Sequence, residues 1–160
     1  MLELPQTGVA LSGQNNRRLV ERMLRYWTKV AAGRRFPRLD EIDPWTVGDD
    51  WSNCLVIAVQ SPVRLSHVTM MGKNLAVAPC QKDTLASVLL SNLASVLSAR
   101  RCLIIEGGAT LRGVPTLYRG ALLPLSSDGV AIDHVLGAAN HRVLLANETT
   151  KEQVVREWWV

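Results

Sequence analysis

Between residues 19 and 31 the apolar positions Leu19, Val20, Met23, Leu24, Trp27, Val30 and Ala31 recur three and four apart. That spacing lays one stripe along a 3.6-residue period and predicts a helix over residues 16–32. Asn15 or Asn16 can cap it and Gly33 can stop it. Residues 1–15 carry Pro5, Gly8 and Gly13 without a period and read as a flexible arm. Residues 34–53 read as a connector, with a short helical turn after Asp43 that has Pro44 at its first position.

The period then changes. Residues 54–60 (CLVIAVQ) are a continuous apolar run and predict a buried strand. Residues 64–71 (RLSHVTMM) alternate and predict a strand with one wet face. A second helix is expected over 83–99, capped by Asp83, with Leu85, Val88, Leu89, Asn92, Leu93, Val96 and Leu97 on its inner stripe. Asn92 interrupts an otherwise apolar face. Three strand-like runs follow, at about 101–111, 116–125 and 130–138, joined by short turns, which predicts a consecutive antiparallel meander. Residues 143–160 read as a C-terminal tail. There Thr149-x-x-Glu152 suggests a capping box before a short helix carrying Trp158 and Trp159. The expected fold is α+β: one domain over 16–142, a five-stranded antiparallel sheet with flanking helices.

A tight turn at 126–129 places Leu125 opposite Val130, Leu123 opposite Ile132, Ala121 opposite His134 and Arg119 opposite Leu136. Both strands then put their apolar residues on one face, expected beneath the 83–99 helix. His134 would face the small Ala121, with Arg119 nearby and Asn92 above. These four residues are the candidate lining of a small-molecule pocket. The plainer alternative is a core histidine bonded to backbone, with Arg119 reaching solvent.

Composition narrows the function classes. The chain has 160 residues, 48% of them hydrophobic, enough for one real core. No apolar run reaches the roughly 18 residues of a membrane span. The first residues lack the basic and apolar regions of a signal peptide, so cytoplasmic residence is the expectation. Cys54, Cys80 and Cys102 fit neither a disulfide framework nor a zinc pattern and read as buried thiols. Phosphate-binding glycine loops, a nucleophile elbow and metal-ligand histidine spacing are all lacking. No catalytic residue and no metal ligand is therefore assigned. Asp133 beside His134 resembles an acid–base pair, but strand neighbours point to opposite faces.

Net charge is +4 and uneven. Arg17, Arg18, Arg22, Arg25, Lys29, Arg34, Arg35 and Arg38 face only Glu21 within their own segment. Nucleic acid or an anionic surface is one partner such a run could meet; a solvated helix face is the other reading. No interleaved aromatics or helix-turn-helix spacing support nucleic acid.

Two sets of residues carry a resemblance. Tyr26-Trp27, Arg35-Phe36-Pro37-Arg38 and Ile42-Asp43-Pro44, together with Leu123-Pro124-Leu125-Ser126, Asp128-Gly129, Asp133 and Leu136-Gly137, resemble the N- and C-terminal signatures of a family of PAS-fold proteins found mainly in alphaproteobacteria. The matches span about residues 24–44 and 117–142. The middle departs: His67 to Lys73 replaces the phenylalanine-rich strand pair of that family. The resemblance implies a five-stranded antiparallel sheet used for sensing or protein interaction. Haem-binding members use a helix histidine, and residues 83–99 have none. Flavin members use an Asn-Cys-Arg helix, whereas Asn53-Cys54 is followed by Leu55. Neither cofactor is supported. The expectation is a non-enzymatic signalling module acting through a partner protein or its own homodimer. Leu19, Met23, Leu24, Trp27 and Val30 are its expected dimer or partner surface.

Overall fold

The computed structural model describes residues 4–75, 84–111, 113–149 and 152–158, with side chains from residue 18 onward. The first helix, α1 (Leu4–Ala31), is longer than its apolar stripe predicts. Its backbone is already helical from Leu4, so the arm expected over 1–15 is helix across 4–15. Pro5 lies in the first turn, where a missing N–H costs nothing. The helix ends at Ala32 and Gly33, both at positive φ (50° and 83°). Beyond the connector, α2 (Pro44–Val47) starts where proline fits, and Asp43 caps it by accepting from the Trp45 N–H at 3.1 Å.

Among the described residues six strands form one sheet: β1 (Cys54–Ala58), β2 (His67–Met71), β3 (Leu103–Leu111), β4 (Val114–Leu125), β5 (His134–Val143) and β6 (Val154–Glu157). The order is β2-β1-β5-β4-β3-β6 and every pairing is antiparallel. The meander β3-β4-β5 is as expected. The sixth strand is not: the tail pairs with β3, Val155 opposite Ile105, where a short helix was predicted. The open edge of β3 offers a ladder of backbone partners, and that long-range pairing overrides the local capping signal.

The helix expected over 83–99 is two helices, α3 (Leu85–Ser91) and α4 (Leu93–Ala99), joined at Asn92. Thr84 caps α3 by accepting from the Ser87 N–H; Asp83, the expected cap, lies outside the described residues.

The last hairpin differs in register. Leu125 stands opposite His134, Leu123 opposite Leu136 and Ala121 opposite Ala138. Each partner is four residues later than predicted. Residues 126–133 form a loop in which the N–H groups of Ser127, Gly129, Val130 and Ala131 are taken by side chains. The Asp128 carboxylate accepts from Val130 N and Ala131 N at 2.8 and 2.9 Å, and Asp133 accepts from Ser127 N at 2.9 Å. These donors are unavailable to a ladder, so the turn cannot be tight. A shift of four preserves parity, so each side chain keeps its face. Ile132 sits in the loop, half-buried between both cores.

The helix assignment of the faces is exchanged. Leu123, Leu125 and Leu136 lie under α1, against Leu19, Met23, Leu24 and Trp27, and not under α3 and α4. The latter cover the opposite face: Leu55, Ile57, Ile105, Leu122 and Val135. The stripe expected at a dimer or partner surface is therefore core of its own chain. Leu19, Met23, Leu24 and Trp27 are buried and Val30 is partly so. Docking on an apolar sheet face removes that stripe from water without a second subunit.

Candidate functional site

The expected pocket between α3 and the sheet is filled. Leu89, fully buried, seats where β4 and β5 carry glycine. A Cβ at Gly120 would lie 3.3 Å from Leu89 Cδ2, and one at Gly137 would lie 3.3 Å from Leu89 Cδ1. The candidate lining is dispersed. Asn92 lies on the α3/α4 side, where it and Gln153 exchange amide hydrogen bonds (3.0 and 3.2 Å) and Tyr118 donates to Gln153 at 2.7 Å. Arg119 and His134 belong to the other face. They are six ladder positions apart, about 20 Å at roughly 3.4 Å per residue. Ala121 faces Ala138, not His134. Arg119 stands opposite Glu106, Nε 3.8 Å from Oε2. Asp133 precedes its strand and curls back to His134, Oδ1 3.0 Å from Nδ1, so the two do meet despite being sequence neighbours. Burial would raise the Asp133 pKa, but hydrogen bonds from Ser127 and His134 outweigh it and hold the carboxyl below its usual range.

A different site assembles at the C-terminal end of α1. Left-handed Ala32 and Gly33 turn the chain so that Arg34 folds back on its own helix. It donates to the Ala31 and Val30 carbonyls at 2.9 Å each, satisfying the helix end, and to Glu41 at 2.7 Å. Phe36 inserts beside it and is buried. Pro37 accepts from the Ser126 N–H at 2.9 Å, and the Trp27 indole donates to the Pro124 carbonyl at 2.9 Å. Asp43 N–H donates to the Tyr26 hydroxyl at 2.7 Å. Arg100, at the end of α4, donates to the Val130 carbonyl.

Two recesses flank this junction. One of about 310 Å³ is floored by Trp27, Ala31, Cys102 and Trp158 and rimmed by Arg34, Arg35, Arg100 and Arg101. The other, about 440 Å³, runs between Arg34, Arg35, Phe36 and Arg38 and the loop from Ser126 to Gly129. Arg34 and Arg35 line both, so the two recesses adjoin at these side chains, and together they are termed the arginine-lined groove. The guanidinium carbons of Arg35 and Arg100 each lie 5.4 Å from the Phe36 ring centre, in cation–π range.

Three cations of the basic run meet acids of the connector. Arg22 is bidentate to Asp50 (2.6 and 2.8 Å), Arg34 meets Glu41, and Arg38 meets Asp40. The hydrogen bond from Arg34, then that from the Arg38 N–H, holds Glu41 below the usual carboxylate range. The sequence missed Arg100 because no helical or strand period marks it; its proximity to Phe36 is tertiary.

Cys54 and Cys102 are buried free thiols and Cys80 lies outside the described residues. Burial, then the nearby Asp50, pushes the Cys54 thiol up to about 12, and burial pushes Cys102 up further. Neither is a thiolate nucleophile at neutral pH. Among the described residues no three His, Cys, Asp or Glu stand together as a metal set, and no helix is long and apolar enough to cross a membrane. Trp45 is 92% exposed on its capped turn. No protein-family model matches the chain, and no curated protein or solved structure matches it.

Proposed function

We propose that the chain is a non-enzymatic PAS-type signalling module that senses or interacts through the arginine-lined groove and passes its output to a partner protein. One observation carries this reading. The two segments that bear the family resemblance, far apart in the chain, meet at the groove: Pro37 bonds Ser126, Trp27 bonds Pro124, and Arg34 to Arg38 face the Ser126–Gly129 loop. Residues of such different secondary structure share one small volume, and that volume holds charge and open space together. An antiparallel sheet with helices inserted between β2 and β3 fits the same reading. Exposed Trp45 is of the type that anchors partners.

The test is site-specific photo-crosslinking in the native host, with the crosslinker at Arg38, at Ser127, or at His67 on the far edge strand. One recurrent partner is expected from the two groove positions and not from the edge. Binding of that purified partner should be lost in Arg35→Glu and kept in His67→Ala. Cross-links from the edge position alone, or a partner indifferent to Arg35→Glu, would overturn the reading.

A further inference from the structure

Five guanidiniums line the groove, and their partners differ. Arg34 and Arg38 are each bonded to a carboxylate, and Arg101 lies 4.0 Å from Glu157. Arg35 and Arg100 have no carboxylate partner among the described residues; what they share is the Phe36 ring. Asp128 is also on the rim, but its Oδ1 is occupied by Val130 N, Ala131 N and the Ser126 hydroxyl (3.0 Å), so that oxygen is turned into its own loop. Arg100 also donates to the Val130 carbonyl, a neutral acceptor, so both arginines keep a positive charge with no carboxylate against it among the described residues.

Arg100 is also placed at a conformational cost. It caps α4 with φ 54° and ψ 37°, the left-handed conformation that glycine adopts freely and other residues adopt with strain. The position that would suit glycine best holds instead a long cation directed at the groove.

We infer that the groove binds a small molecule bearing a phosphate or pyrophosphate group, held between Arg35 and Arg100. Their guanidinium carbons are at most twice 5.4 Å apart, an upper bound within the reach of a pyrophosphate that makes charge-assisted hydrogen bonds of about 2.7–2.9 Å on each side. Two unmatched cations fit a dianion. Guanidinium forks fit planar pairs of phosphate oxygens. The recess volumes, about 310 and 440 Å³, lie in the range of small-molecule sites. The stacked Phe36 holds the forks in place before the ligand arrives, which lowers the entropic cost of binding. This inference rests on the groove being the functional surface and adds the chemical class of what enters it.

The experiment is isothermal titration of the full chain with pyrophosphate, with succinate as the carboxylate arm, at low and high salt. One site per chain is expected for pyrophosphate, weaker at high salt. Arg35→Ala and Arg100→Gly should each weaken it about tenfold or more, the loss of one charge-assisted contact. Arg100→Gly separates binding from folding, because it relieves the left-handed strain: its melting temperature should equal or exceed that of the parent while its binding falls. No pyrophosphate binding at millimolar concentration, binding insensitive to both substitutions, or binding of succinate alone would each overturn the inference. Groove cross-links to a partner that persist without pyrophosphate binding would refute the ligand while leaving the interaction surface in place.

Discussion

The two faces of the sheet are both covered by helix, yet they are finished differently. On the α3/α4 face, apolar side chains fill the space down to the glycines of β4 and β5, and the polar atoms of Asn92, Gln153 and Tyr118 bond one another. On the α1 face the packing is as tight beneath the helix, but at its C-terminal end it gives way to arginines around a single phenylalanine. A closed face cannot admit a ligand without losing stability. A helix end can, because its satisfied carbonyls and its charges already lie at the surface. The proposed function belongs to the margin of the core, where the two motif segments meet, rather than to its inside.

The sharpest way to break this comparison is Leu89→Ala. It empties the glycine notch and should cost about 2–5 kcal/mol by urea denaturation, transfer plus cavity. A cost below about 1 kcal/mol would mean that the α3 face is loosely filled after all. Next comes Trp27→Phe. It keeps the ring in the core but leaves the buried Pro124 carbonyl without its donor, at about 1–3 kcal/mol. An unchanged midpoint would show that this bond does not tie α1 to β4. Arg22→Ala tests the charge balance of α1. The pair with Asp50 is bidentate but partly exposed, so a loss of about 0.2–1 kcal/mol is expected, shrinking in high salt. A larger, salt-independent loss would mean that the pair is structurally central.

The smallest effect concerns pH. Asp128 and Asp133 sit below the ordinary 3.8 of an aspartate. For Asp128 the main cause is the Val130 N–H, then Ala131 and Ser126; for Asp133, the bonds from Ser127 and His134 prevail over burial. A depressed folded-state pKa means that the stabilisation is complete above about 3.8 and is lost as pH falls through the folded values. Asp133→Asn should therefore lower stability at neutral pH and close the gap to the parent as pH falls below about 4, which flattens the acid limb of the stability-versus-pH curve. A variant that matches the parent at neutral pH, or a gap that does not close in acid, would point to another group.

Much of this architecture was legible in the residues. The stripe from Leu19 to Ala31 specified a helix, the CLVIA run a buried strand, and Pro44 after Asp43 a capped turn, because each signal is local and repeats with the period of the backbone. Alternation also placed Leu123, Leu125 and Leu136 together on one face. Alternation has a period of two, however, so it could not distinguish a four-residue turn from the eight-residue loop that Asp128 and Asp133 hold open. The candidate pocket of His134, Arg119, Asn92 and Ala121 depended on that missing number and came apart with it.

The sequence by itself determined which segments are helix and strand in the core, which residues turn inward, and that a charged segment precedes β1. Only the tertiary structure decided which helix lies on which face, because two apolar stripes and two apolar faces match equally well in either arrangement. It also decided that the tail becomes β6, since an unpaired edge is a property of the assembled sheet. And it decided where charge remains. Coulomb pairing depends on distance in space rather than along the chain, so the acids of the connector neutralise Arg22, Arg34 and Arg38. Arg35 and an arginine from the end of a distant helix are left facing each other over Phe36.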